Sequence, residues 1–189
     1  MYYKTLSNDI WLAGLARTLN MKLTRIQGEA IRQIAGYCDE YGVTDPRQVA
    51  YILATAYHEC RFRSIREIRA PVGSAVWKMQ NRYWHTGFMG RGLPQLTWEK
   101  NYRKFSSLVG LNLVKDPDAV LRPEVGAEIL VYGMQNGLFS GVGLSKYFPA
   151  DGSPAKWIGA RRIVNGTYQA DLVAAAAKKI LPLLQNVPA

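Results

Sequence analysis

Residues 56–101 read AYHECRFRSIREIRAPVGSAVWKMQNRYWHTGFMGRGLPQLTWEKN, and the interpretation of the whole chain turns on them. The stretch opens where an apolar helix runs out, and a carboxylate, Glu59, stands at that point. A second carboxylate, Glu67, follows eight residues later among Arg61, Arg63, Arg66 and Arg69. A glycine-flanked turn, Gly90-Arg91-Gly92, then leads to Gln95, Thr97 and Asn101. Two carboxylates beside an array of neutral hydrogen-bonding side chains point to acid–base hydrolysis of a neutral polar polymer.

Upstream of this stretch the grammar is helical. Asp45-Pro46 supplies an N-cap aspartate and a proline at the first helical position. Val49, Ile52, Leu53 and Ala56 form the apolar stripe of that helix, and extending the stripe lands on Glu59. A carboxylate has replaced a hydrophobe on the inward face. The helix's negative end and partial burial disfavour an anion there, whereas the four arginines favour it. A plain salt bridge to an arginine is the bland alternative. Further upstream, Thr24 and Gln27 have the spacing of a capping box. Ile26, Ala30, Ile34 and Tyr37 follow at helical spacing, and Gly42 closes the helix. Residues 1–22 read as an extension packed on the core, with a short helix at 10–19.

Downstream, residues 70–90 read as a short helix or loop. From Gly92, Gln95 and Thr97 alternate with Leu96 and Trp98 as in a short extended segment. A helix then places Trp98, Asn101, Tyr102, Phe105 and Leu108 on one face. A buried asparagine must find partners, so Asn101 either ties down backbone or faces a cleft. Asp116-Pro117 and Pro123-Glu124 introduce a helix through Met134, with Gly137 as its C′ residue. A short helix at 154–164 ends in Asn165-Gly166. The last helix runs from about Asp171, with Leu172, Ala176, Ile180 and Leu183 inward and Lys178 and Lys179 outward. The fold class expected is mainly α with a small irregular β element near 67–98. Without repeats or linkers, residues 1–189 form a single domain.

The net charge of +10 favours an anionic partner. Nucleic acid is a poor fit, because no binding module is present and the basic residues are spread along the chain. His58-Glu59-Cys60 is not a zinc pattern, and His58 and His85 are the only histidines, so neither metal nor cofactor is expected. Two cysteines, Cys38 and Cys60, cannot make a disulfide framework and read as buried thiols. The apolar run at 10–16 is short and follows Asp9, unlike a signal peptide. No stretch approaches the roughly 20 apolar residues of a membrane span. The chain therefore reads as made in the cytoplasm.

His58-Glu59 at a helix end, Gly90-Arg91-Gly92-Leu93-Pro94-Gln95-Leu96-Thr97-Trp98 and Asn101-Tyr102 together resemble glycoside hydrolase family 19. That family holds the plant-type chitinases and many phage endolysins. Asp116-Pro117, 137–141 (GLFSG) and 161–166 (RRIVNG) agree with it, so the resemblance covers about 23–184. Small size, few cysteines and no signal peptide make the endolysin branch the nearer match.

The resemblance implies a lysozyme-like, two-lobed α-helical fold with a cleft, and inverting hydrolysis of β-1,4 bonds between N-acetylated amino sugars. Glu59 matches the general acid, Glu67 the general base, and Thr97 the hydroxyl that holds the water. Gln95, Asn101, Asn165 and Arg162 match sugar-binding positions, and His58 flanks the acid. Inversion requires the two carboxyls to be about 6.5–9.5 Å apart. Two departures stand out. Cys60-Arg61-Phe62-Arg63 replaces the Thr-Thr-Gly-Gly-like run of the plant enzymes, and Glu67 follows the acid at a much shorter distance than their base does. Glu99 is a weaker candidate base, and Asp116 and Asp118 read as turn and cap residues.

The function expected is that of a peptidoglycan-degrading endolysin, a monomer acting on glycan strands of the cell wall after holin-assisted release. Its C-terminal helix is expected to pack on the domain, with contact of its basic face with an anionic outer membrane or lipid as the alternative. A chitinase and a non-catalytic glycan-binding relative are the alternatives.

Overall fold

The computed structural model describes residues 6–185; the first five residues of the predicted N-terminal extension lie outside them. The described chain is mainly helical, with seven α-helices. They are α1 (Asp9–Thr18), α2 (Arg25–Glu40), α3 (Pro46–Cys60), α4 (Ala75–Gln80), α5 (Glu99–Ser106), α6 (Pro123–Gln135) and α7 (Ala170–Gln185). Short 3₁₀ turns at Trp84–Thr86, Pro117–Leu121, Leu144–Lys146 and Gly159–Ile163 join them.

Helix α3 sits at the centre. Asp45 caps it by accepting the Arg47 amide, and Pro46 fills the first position as expected. All eight residues 49–56 are buried, and a helix that is apolar all round has to be enclosed. Helices α2, α6 and α7 pack on it, and α1 covers α7. In α1, Leu12 and Leu15 enter the same core, and the Trp11 indole donates to the Leu183 carbonyl at 2.9 Å.

The Thr24–Gln27 capping box forms at the start of α2. The buried face of α2 is Gln27, Ala30, Ile31, Ile34 and Cys38, whereas Ile26 is 62% exposed. The same one-residue displacement occurs in α7, where Val173, Ala177, Ile180 and Leu184 face inward and Leu172 faces out. Both helices carry apolar residues at adjacent positions, so two stripes about 100° apart compete and packing selects one. Cys38 and Cys60 are free, buried thiols. Burial pushes both upward in pKa, Cys60 to about 12.

Buried side chains fall into two clusters. The larger takes in α1, α2, α3 and α7; the smaller holds Leu96, Tyr102, Phe105, Leu113, Val120 and Ile129. Helix α6 belongs to both, giving Leu130, Val131 and Met134 to the first and Val125 and Ile129 to the second. The β element reduces to two isolated bridges, Arg66–Arg91 and Arg91–Leu96. The extended segment expected at Gln95 is instead a tight turn at 92–95. Arg91 and Leu96 exchange backbone hydrogen bonds across it, and Gln95 has φ +50°. Proline at 94 and glycine at 92 favour a turn over the alternation read there. No described helix is long and apolar enough to cross a membrane.

Candidate active site

A cleft of about 490 Å³ is walled by the end of α3, the 94–104 hairpin and α5 segment and the 164–165 corner, with Tyr83 and Phe139 completing it. Glu59, Gln95, Thr97, Asn101 and Asn165 all line it.

Glu59 projects from the last turn of α3. Arg61 and Phe62 then take left-handed φ values of 54° and 58°, which stop the helix one residue past Cys60. The Glu59 side chain is only 13% exposed, and its Oε1 lies 2.6 Å from Nη1 of Arg161, itself 2% exposed. The contact is close without the alignment of a hydrogen bond, and neither atom has another hydrogen-bond partner among the described residues. The guanidinium is held by its Nε, which donates to the Tyr168 carbonyl at 3.2 Å. An arginine has thus been folded into the interior against the one carboxylate of the cleft wall.

The opposite wall is built from backbone-anchored side chains. Gln95 donates its amide to the carbonyls of Ile65 and Gly92, each at 3.0 Å. The Thr97 hydroxyl donates to the Gln95 carbonyl, and Asn101 donates to the Thr97 carbonyl at 2.7 Å. Asn101 therefore both ties down backbone and faces the cleft. Trp98 lies against Tyr83 edge-on, with ring centroids 5.2 Å apart.

Glu67 does not line the cleft; it stands one side chain behind it. Its Oε1 accepts from Tyr83 Oη at 2.7 Å and Gln80 Nε2 at 2.8 Å, and its Oε2 accepts from the Gly90 amide at 3.0 Å. Tyr83 is the link, because its ring lines the cleft. Burial and then the Glu67 carboxylate raise the Tyr83 phenol, so it stays protonated and donates at every physiological pH. Gly90 packs closely against the side chains of Gln95 and Glu67. A Cβ there would meet Gln95 Oε1 at 2.9 Å and Glu67 Oε2 at 3.2 Å.

The hairpin is pinned from behind by Arg91. It donates to Asp118 Oδ1 at 2.7 Å, to the carbonyls of Gly87 and Met89, and to the Tyr102 hydroxyl. Arg66 pairs with the other Asp118 oxygen. Burial opposes ionisation of Asp118, but Arg91 and Arg66 outweigh it and hold the carboxyl below its ordinary value. Asp118, read from sequence as a turn residue, is the acidic hub behind the cleft wall. Glu99 lies outside the cleft, paired with Arg103 one helical turn on.

Two expected residues sit elsewhere. His58 faces a separate cavity with Leu19, Tyr57, Arg61, Leu172 and Lys179. Burial and the charge of Arg161 hold its imidazole below the ordinary pKa. Arg162 is exposed and does not line the cleft; its neighbour Arg161 reaches Glu59 instead. In a 3₁₀ turn consecutive side chains diverge by about 120°, so one arginine turns in as the next turns out. The residues that sequence reasoning passed over are Arg161, Tyr83 and Gln80. Their signal was weak: an arginine beside an arginine, and a tyrosine and glutamine in an irregular stretch. Among the described residues no group of three His, Cys, Asp or Glu side chains is placed to hold a metal ion.

No profile of a known protein family matches the chain, and no curated protein matches it in sequence.

Proposed function

We propose that this protein is a glycoside hydrolase of the endolysin type, which cuts β-1,4 bonds between N-acetylated amino sugars of peptidoglycan with inversion. The observation that carries the reading is the gathering of Glu59, Gln95, Thr97, Asn101 and Asn165 around one cleft from three distant segments. An open groove lined by amides, a hydroxyl, aromatic rings and one carboxylate suits a sugar chain better than an apolar ligand.

In this reading Glu59, ion-paired with Arg161 at rest, takes up a proton from solvent and gives it to the leaving glycosidic oxygen as the bond to the anomeric carbon breaks. A water held by Thr97 attacks that carbon from the opposite face, and the proton it loses passes to Glu67 by way of the Tyr83 hydroxyl, which stands between that carboxylate and the cleft. The product is a reducing sugar of inverted configuration, and both carboxyls return to their starting states by exchange with solvent. Tyr83, Gln80 and the Gly90 amide hold the Glu67 carboxylate in place. Gln95, Asn101 and Asn165 bind the hydroxyl and acetamido groups of the strand.

The test is turbidity clearing of chloroform-permeabilised Gram-negative cells by wild type and Glu59→Gln, with glycol chitin as the second substrate. Clearing by wild type alone is expected. Clearing by both proteins would remove Glu59 from the chemistry. Wild-type hydrolysis of glycol chitin without clearing of cells would make the enzyme a chitinase, and no hydrolysis of either would leave a glycan-binding protein.

A further inference from the structure

Resting on the glycan reading of the cleft, we propose that Lys100 and Lys104 form an anion-recognition subsite on its wall, selecting strands whose sugars bear carboxylates over neutral strands. Both lysines line the cleft, on either side of Asn101, from the exposed face of α5. Four residues apart on a helix, their Cα atoms are about 6 Å apart along the axis.

The other charges at this place are accounted for. Glu59 is answered by Arg161, and Glu99, next to Lys100 and about 100° round α5, by Arg103. Among the described residues neither lysine has a carboxylate partner. Lys104 donates one N–H to the Leu138 carbonyl at 2.6 Å, which fixes its ammonium beside Phe139 at the cleft and leaves two N–H groups free. The cleft thus carries two uncompensated positive charges.

Local helix energetics do not explain the pair. Lys100 occupies the first turn of α5, where the positive end of the helix dipole disfavours a cation. Like charges at i and i+4 are also mutually destabilising. Rules broken at the wall of a binding groove are the mark of a residue kept for a ligand. That ligand is anionic and lies along a polymer. In a strand of N-acetylated amino sugars the matching group is the carboxylate of a lactyl ether or of its attached peptide, which chitin lacks.

The experiment measures binding, so it does not depend on hydrolysis. In a Glu59→Gln background, which spares the glycan, the full chain is co-sedimented with purified sacculi before and after carbodiimide amidation of their carboxyls. Amidation is expected to weaken binding of the parent about fivefold in low salt, the effect of two solvent-exposed charge contacts. The difference shrinks as salt rises. Lys100→Gln/Lys104→Gln should bind intact and amidated sacculi alike. A control pair that removes the same charge elsewhere, Lys115→Gln/Lys178→Gln, should keep the parent's difference. The proposal is overturned if the cleft pair keeps the amidation effect, if the control loses it equally, or if the parent does not bind sacculi. Failure of wild type to hydrolyse any glycan would defeat the enzymatic reading alone and leave this comparison intact.

Discussion

Glu59→Gln perturbs two things at once, and a double-mutant cycle with Arg161 separates them. The two charges are 2.6 Å apart and almost entirely removed from solvent. Breaking such a pair in a closed interior costs about 3–5 kcal/mol, because one charge stays buried alone. Glu59 borders the cleft and water can approach, so the cost expected for Glu59→Gln is about 2 kcal/mol. For a chain of this length that lowers Tm by about 4–8 °C. Arg161→Met should cost a similar amount by stranding the carboxylate. Removing both charges together leaves a neutral, well-filled site within about 1 kcal/mol of wild type. The coupling energy from urea unfolding at neutral pH should then be about 3 kcal/mol. Cell clearing follows a different pattern: Glu59→Gln falls by about 10²–10⁴, and the double variant stays equally slow although its stability has returned. Additive single costs would show that the contact carries no energy, and clearing by Glu59→Gln at the wild-type rate would show that Glu59 is not the acid.

Tyr83→Phe removes the 2.7 Å donor to Glu67 and leaves Gln80 and Gly90 in place. The clearing rate should fall about tenfold with little change in Tm, as expected for one hydrogen bond to a charged group; an unchanged rate would move the base away from Glu67. Gly90→Ala drives a methyl between Gln95 and Glu67, and should cost about 1–3 kcal/mol in urea unfolding together with most of the activity. Acid stability should depend on Asp118, whose folded pKa lies below its unfolded one. Its contribution is fully present above about pH 4 and is lost as pH falls through the folded value. Asp118→Asn should therefore flatten the pH dependence of unfolding below pH 4, and a slope equal to wild type would refute the hub.

The helical parts of the fold were legible because their signals are local. Thr24 and Gln27 announce one helix, Asp45-Pro46 the central one, and both form as read. Which face turns inward was less legible. In α2 and α7 neighbouring apolar residues offer two stripes, and the choice belongs to the partner helix rather than to the sequence of either. Part of the cleft lining was legible at Glu59, where the apolar stripe of α3 breaks, and at Gln95, Thr97 and Asn101, polar residues set among apolar ones, whereas Asn165 was pointed to only by the family resemblance. Arg161 was not, since nothing local distinguishes it from Arg162; only the packing of the 3₁₀ turn against the end of α3 decides which guanidinium is buried.

The strained backbone of the molecule lies beside the same residues. Six described non-glycine residues have positive φ; two of them, Gln95 and Trp98, line the cleft, and two more, Arg61 and Phe62, follow Glu59 at the end of α3. Each costs of order 1 kcal/mol and persists only where its surroundings over-determine it. They do so here. Phe62 is fully buried against Tyr57. Gln95 is held by its own side-chain amide, and the Trp98 amide donates to the Phe88 carbonyl at 2.9 Å. The Arg61 carbonyl accepts from Gln27 Nε2 at 2.7 Å, from the same side chain whose oxygen takes the Thr24 amide. Gln27 is therefore more than a local cap. It ties the first turn of α2 to the turn that ends α3 directly behind Glu59, across 34 positions of sequence. A helix allowed to run on past Cys60 would carry the chain away from the cleft. The left-handed pair stops it there, and the cap of a neighbouring helix holds the stop in place. The position of the carboxylate is thus set by a contact whose two halves look, in the sequence, like unrelated pieces of helix punctuation.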